Sequence, residues 1–150
     1  MAKCYAILGV SGSGTSEKTL ATVVGASTVR PRVYDIVLGN AETPADYAWS
    51  FVAQRLTADG TGTAHTPRPL DPGDPVAQCT SKITHTVEPT YTASAELLEL
   101  NANMRTAVRW TALTEGRELV GPATANNGLG FVLNTATTAL VLRGTFLFQE

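Results

Sequence analysis

The chain has 150 residues and 15.8 kDa, of which 43% are hydrophobic and 16% charged, which is the size of one globular domain. Eleven Lys and Arg against 13 Asp and Glu give a net charge of −2, so we expect no nucleic-acid partner held by phosphate neutralisation. The apolar runs are far shorter than the roughly 20 residues of a membrane-spanning helix, so we expect no membrane partner either.

The composition favours β structure. Threonine occurs 22 times, mostly beside aliphatic or aromatic residues, and β-branched side chains fit a pleated sheet better than a helix. Thirteen Gly and 8 Pro divide the chain into segments of roughly 8 to 12 residues, the spacing typical of a β-sandwich or barrel. The pattern therefore predicts an all-β fold.

The N-terminal segment predicts a strand over residues 4–8, followed by a Gly/Ser-rich stretch over residues 9–16. The stretch has the glycine spacing of a phosphate-binding loop, but Thr15 stands where that loop needs a lysine, and Lys18 follows three residues later. We therefore predict a strand and a flexible Gly/Ser arm over residues 1–18, and a β-sandwich domain over residues 19–150. Strand 4–8 either pairs within its own sandwich or extends a neighbour's sheet through Lys3, Tyr5 and Ile7.

Three strands are predicted next, over residues 20–24, 32–38 and 47–57. The third also fits a helical stripe, but the alternation of Tyr47, Trp49, Phe51 and Ala53 favours a strand. Residues 58–91 show a weaker pattern, and the four prolines between residues 67 and 75 exclude a central strand or a continuous helix there. We predict an irregular connection there, with a short helix from Pro75 to about residue 80.

Periodicity returns over residues 95–104, 106–113, 118–120, 130–134 and 139–148, which makes about eight strands in total. In the last segment one face carries Leu140, Leu142, Gly144, Phe146 and Phe148. The expected aromatic anchors of the core are Trp49, Phe51, Trp110, Phe131, Phe146 and Phe148.

The residues that could carry chemistry are scattered. His65 and His85 are isolated, Glu96 and Glu99 are expected on opposite strand faces, and Cys4 and Cys79 are expected to be reduced structural thiols. Asp71 and Asp74 lack the alternating oxygen ligands of a calcium loop. The sequence therefore predicts no enzyme, no catalytic residue, no metal and no cofactor.

Several segments within residues 32–150 together resemble capsid decoration (cement) proteins of tailed bacteriophages; they are residues 34–39, 43–46, 54–58, 60–63, 66–71, 85–92, 109–110 and 122–130. The resemblance implies a jelly-roll or Greek-key β-sandwich that binds the outer surface of the major capsid protein lattice as a homotrimer. It also implies synthesis in the host cytoplasm and a final location in the virion. The candidate capsid or subunit contacts are Lys3, Tyr5, Ile7, Pro67, Pro69, Asp71 and Tyr91.

Two alternatives remain open. A virion-displayed β-sandwich could bind a carbohydrate or receptor by stacking sugars on Tyr91 or Trp49. A degenerate phosphate-binding loop over residues 9–16, with Asp35 as its second acidic element, would bind a nucleotide.

Overall fold

A computed structural model describes residues 2–150, and Met1 lies outside the described residues. The described chain is all-β, as the sequence predicts. Within it no helix is long and apolar enough to cross a membrane. Its twelve strands are β1 Cys4–Val10, β2 Gly14–Val24, β3 Arg32–Asn40, β4 Ala48–Ala58, β5 Thr61–His65, β6 Arg68–Pro69, β7 Thr80–Val87, β8 Thr90–Asn103, β9 Val108–Thr111, β10 Leu119–Val120, β11 Gly128–Leu140 and β12 Leu142–Gln149.

The strands form two antiparallel sheets that pack face to face as a sandwich. Sheet A has the order β10-β3-β12-β1-β6, with β9 also paired to β3. Sheet B has the order β5-β7-β2-β11-β4-β8. The count exceeds the predicted eight for two reasons. The segment over residues 58–91, predicted to be irregular, contributes β5, β6 and β7, and the N-terminal strand predicted with the arm is β1 of the sandwich.

The strand pairing is nested along the chain. The first strand pairs with the last, β1 with β12, and β2 pairs with β11. Further inward, β3 pairs with β9 and β10, and β4 pairs with β8. The N-terminal and C-terminal parts of the chain are therefore interleaved in both sheets.

Aromatic side chains from both sheets meet in the core. Phe146 of sheet A stacks on Phe131 of sheet B with ring centroids 4.1 Å apart, and it lies 6.3 Å from Phe51. All three side chains are fully buried. Trp49 and Phe148 are buried as predicted, whereas Trp110 is only partly buried because β9 lies at the edge of sheet A.

Two strand predictions are confirmed. The segment predicted as a strand over residues 47–57 is a strand and not a helix, with Tyr47 just before its start: β4 is Ala48–Ala58. In β12 the predicted apolar face points inward: Leu142, Phe146 and Phe148 are buried, and a Cβ at Gly144 would meet Phe146.

The predicted flexible arm over residues 1–18 differs from the structure. Strand β1 lies inside sheet A, between β12 and β6. Residues 9–16 form the end of β1, a three-residue link and the start of β2, whose Ser16 pairs with Thr135 of β11. The link is tied to β12, since the Leu142 N–H donates to Ser11 Oγ at 2.9 Å. The residues after the glycines form a strand, β2, that pairs with β11. A phosphate-binding loop is followed by a helix, and here a strand stands in that position.

The predicted helix at Pro75 is also wrong. The Asp74 N–H donates to the Asp71 carbonyl in a turn, and the Cys79 N–H donates to the Glu150 carboxylate at 2.9 Å. The N–H groups of Asp74 and Cys79 therefore bond to a turn and to the C-terminal residue rather than to carbonyls of a helix. The surrounding segment adds β5 and β7 to sheet B and β6 to sheet A, so it spans one open side of the sandwich. Pro69 fits there because β6 is an edge strand.

Candidate functional site

The outer surface of sheet A carries an aliphatic patch. Along β1, Tyr5 and Ile7 point into the core, so the alternate residues point outward. Leu8 lies opposite Thr145 of β12, which lies opposite Val37 of β3. Leu8 is 53% exposed and Val37 is 39% exposed. We call the outward side chains of Ala6, Leu8, Val10, Val37, Thr145 and Leu147 the sheet A face.

Four arginines border the sheet A face. Arg68 lies opposite Ala6, Arg143 opposite Val10, and Arg109 opposite Val37. The fourth, Arg32, lies opposite Gln149. All four are exposed. A shallow groove of about 400 Å³ runs between the aliphatic centre and Arg143.

One carboxylate belongs to this border. Asp35 accepts hydrogen bonds from Arg109 Nε at 3.0 Å and from Thr111 Oγ1 at 3.2 Å, and it forms an ion pair with the Arg109 guanidinium. These bonds hold the pKa of Asp35 below its ordinary value, although burial opposes the shift. Arg32 lines a cavity at the end of the sheet together with Glu115, Glu118 and Glu150, so its charge is offset locally. The other three arginines and Asp35 give the rest of the border a net charge of +2.

The outer surface of sheet B is different, since its central strands are covered. Tyr91 of β8 lies over Gly130 of β11, where an added Cβ would meet the tyrosine ring 2.5 Å away. The Tyr91 hydroxyl and Thr19 Oγ1 are 2.6 Å apart in a hydrogen bond, and the Thr19 N–H donates to the Glu88 carboxylate at 2.9 Å. Burial raises the pKa of Tyr91, and the nearby carboxylates of Glu88, Glu17 and Asp59 add to the increase.

Two further carboxylates face outward from sheet B. Glu99 pairs with Val52 and accepts a hydrogen bond from Ser50 Oγ at 3.1 Å. Glu96 pairs with Gln54, on the same face, because a bulge between these two pairs inserts one extra residue. The prediction that Glu96 and Glu99 lie on opposite strand faces is therefore wrong. Counted with Lys82, which pairs with Asp59, the charged residues of this side sum to −4; the five acids are Glu17, Asp59, Glu88, Glu96 and Glu99.

The structure separates the seven predicted contact residues. Tyr5 and Ile7 are fully buried, and Pro67 is buried too, so these three cannot form a surface contact in the folded chain. Pro69 is half-buried, and Tyr91 is turned onto sheet B as described. Lys3 and Asp71 are the two that are exposed, and Asp71 caps a turn by accepting the Gly73 N–H at 2.8 Å.

Sequence reasoning missed both exposed aliphatic residues at the centre of this face. Leu8 lies one position after the predicted contact Ile7, whereas Val37 lies in a strand where no contact was predicted. The sequence signal for an exposed apolar patch was that consecutive residues of these strands are apolar, so that both faces of each strand carry apolar side chains. A strand with two apolar faces has either a partner on each face or an exposed patch.

The two aromatic residues named for sugar stacking differ in burial. Trp49 is 2% exposed and belongs to the core, so it cannot stack on a sugar in the folded chain. Tyr91 is half-buried on the outer surface of sheet B, where its ring packs on Gly130 and its hydroxyl is bonded to Thr19.

The two histidines occupy structural positions. His85 is 8% exposed, and its Nε2 lies 3.2 Å from the Asp59 carbonyl, to which it must donate. Its Nδ1 has no hydrogen-bond partner among residues 2–150. His65 Nε2 accepts the Leu8 N–H at 3.4 Å. Protonation would bury an unpaired donor at His85 and remove the acceptor at His65.

We expect acid to destabilise the fold through these histidines. Burial lowers the pKa of both below 6.5, opposed at His85 by the Asp59 and Glu88 carboxylates and assisted by Lys82. The unfolded chain then binds more protons than the folded chain, so the unfolding free energy is complete above about pH 6.5 and falls as pH decreases below it. Urea denaturation between about pH 8 and about pH 5 measures the slope.

The chain has two histidines, so one variant removes both titrations. The doubly substituted variant His65→Gln, His85→Gln should show little change of unfolding free energy over the same pH range. An unchanged slope in this variant would contradict the assignment.

The remaining groups form no metal cluster. Within residues 2–150 no group of three or more His, Cys, Asp or Glu could hold a metal ion. Cys4 and Cys79 are free, and burial raises the pKa of Cys79 to about 12, assisted by the Glu150 carboxylate. The surface with the clearest chemical character in the described chain is therefore the sheet A face. A comparison with protein-family models, curated proteins and solved structures finds no match.

Proposed function

We propose that this chain is a structural virion protein that works without catalysis. As a homotrimer it decorates the outer surface of the major capsid protein lattice of a tailed bacteriophage and stabilises the shell. The chain is made in the host cytoplasm and ends in the virion. The observation that carries the proposal is the exposed aliphatic sheet A face with its arginine border.

The proposed fold family is the jelly roll. A jelly roll is a sandwich of two sheets with eight strands in total, connected as two Greek keys. The nested pairing supports it: β1-β12-β3-β9 and β2-β11-β4-β8 are two four-stranded sheets in which early and late strands alternate. In this interpretation β5, β6 and β7 are an insertion between the fourth and fifth strands, β4 and β8. The inserted strands extend the sheets beside β1 and β2.

The size of the sheet A face suits a protein that acts in many copies. Together with its arginine border, the face spans five strands, roughly 20 Å, and roughly 15 Å along them, which gives about 300 Å². A standard protein interface buries about 800 Å² on each partner, so one such face is a weak contact. Repeated copies on a lattice turn weak contacts into stable attachment.

The test is binding to phage heads. Wild-type protein should co-sediment with purified heads that lack it, taken from the phage that carries this sequence, and should raise their rupture temperature. Size-exclusion chromatography with light scattering should show a trimer. A monomer that ignores heads would overturn the proposal, as would glycan binding without any effect on the shell.

Substitutions in the patch sharpen the test. The double variant Leu8→Asp, Val37→Asp should bind heads about thirtyfold more weakly, since two half-exposed aliphatic side chains contribute about 2 kcal/mol when they are covered. Val87→Asp is the matched control, because Val87 is 59% exposed on β7 of sheet B. The control should bind heads like the wild type.

A further inference from the structure

We infer that the partner of the sheet A face is an acidic protein surface with an apolar centre, and not a second copy of this chain. The inference rests on the proposed function in one respect, that the sheet A face is an assembly contact. It adds the chemistry of the partner and the orientation of the molecule, with sheet A toward the partner and sheet B away from it.

Most arginines at the border of the sheet A face have no carboxylate partner within the described chain. Residues 2–150 contain three ion pairs, and of the four border arginines only Arg109 takes part in one. Arg32, Arg68 and Arg143 are exposed and in none of them. Guanidinium groups pair most strongly with carboxylates, which they bind through two parallel hydrogen bonds. A border of this kind fits a surface that presents Asp or Glu around an apolar centre.

A second copy does not fit the same face. Two copies joined by a two-fold axis would place the sheet A face against itself, which brings a net charge of +2 against +2 from Arg68, Arg109, Arg143 and Asp35. The acidic outer surface of sheet B has the complementary sign, but it lies on the opposite side of the sandwich. Stacking opposite sides repeats in one direction and produces an open fibre, so it cannot close a trimer.

The apolar centre separates a protein partner from a nucleic acid. Nucleic-acid binding depends on cations that release counterions from phosphates, and it gains nothing from exposed leucine or valine. Protein interfaces have an apolar centre and a polar rim, with arginine enriched. Leu8 and Val37 lie at the centre of this face, and the arginines lie at its border.

The first experiment uses a probe of the inferred chemistry. Wild-type protein is passed over an immobilised random copolymer of glutamate and tyrosine, with a lysine and tyrosine copolymer and duplex DNA as comparisons. We expect retention on the acidic copolymer and none on DNA, with retention about tenfold weaker at about 0.3 M NaCl than at about 0.05 M. The lysine and tyrosine copolymer measures binding through the acidic side of sheet B. Absence of retention, or tighter binding to DNA, would overturn the inference.

Charge reversals locate the contact. The double variant Arg68→Glu, Arg143→Glu should bind the acidic copolymer at least about tenfold more weakly. Arg55→Glu, Arg117→Glu makes the same change of net charge at two exposed arginines away from the border and should stay within about twofold of the wild type. Glu17→Arg, Glu96→Arg reverses charges on the sheet B side and should not weaken binding. Equal loss in the first two variants would refute a specific border, and circular dichroism confirms that each variant is folded.

Heads distinguish this inference from the proposed function. If the wild type fails to bind heads but binds the copolymer through its arginine border, the proposed function fails and the inference stands. If the wild type binds heads and the Arg68→Glu, Arg143→Glu variant binds them equally well, the inference fails and the proposed function stands.

Discussion

The Phe146→Ala variant is expected to lose about 4 kcal/mol of unfolding free energy, because truncating a buried phenylalanine costs about 3 to 5 kcal/mol. Phe146 is fully buried and comes from sheet A, while its stacking partners Phe131 and Phe51 come from sheet B. Its removal leaves a cavity between the sheets that neither partner can fill alone. Urea denaturation followed by circular dichroism measures the loss.

Two controls bracket this result. Phe146→Leu keeps most of the apolar volume and should cost clearly less than the alanine substitution. Leu113→Ala removes a large side chain that is 84% exposed and should change the unfolding free energy by less than about 0.5 kcal/mol. A loss below about 1 kcal/mol for Phe146→Ala would mean that the two sheets do not depend on this contact.

The same residue shows what the sequence can predict. In β12, large apolar residues alternate with Arg143 and Thr145, so the inward face follows from the period of two. The strand assignment of β4 follows in the same way from its aromatic residues. Where one face of a strand is apolar and the other is polar, the sequence is sufficient.

Strand β1 shows why the candidate site was misplaced. Tyr5 and Ile7 alternate with Ala6 and Leu8, and both sets are apolar. Only the pairing with β12 distinguishes them, since it places Ile7 opposite the buried Phe146, whose ring lies over Gly9, and so fixes the inward face. Pairing partners in this fold lie far apart in the chain, and a single sequence without that information leaves the outward face undecided.

Bulges are a second limit on the prediction of strand faces from the sequence. Glu96 and Glu99 share a face because of one inserted residue in β8, and a strict period of two cannot anticipate it. The segment over residues 58–91 is a third limit, because its strands are stabilised by long-range partners. The Cys79 N–H, for example, is bonded to Glu150 rather than to a neighbour in a helix.

Gly128 is the position where we expect the second large effect. An added Cβ there would contact the Val23 carbonyl oxygen and would lie 2.8 Å from Val24 Cα. Both are backbone atoms of β2, which pairs with β11 in the centre of sheet B, so no side-chain rotation can relieve the contact. The Gly128→Ala variant should therefore lose about 3 kcal/mol or more of unfolding free energy, the upper part of the range for overpacking.

Gly39 offers a matched substitution in the other sheet. It lies in β3 opposite Arg143, and an added Cβ would meet nothing within 4 Å. Gly39→Ala should leave the unfolding free energy unchanged or raise it by about 0.4 to 1 kcal/mol, because alanine restricts the unfolded chain. Since the chemical change is the same in both variants, the difference between them isolates the steric contact. A folded Gly128→Ala protein as stable as Gly39→Ala would show that β2 and β11 can separate at this end without cost, and the tight nesting of the two strands would then not contribute to the stability of sheet B.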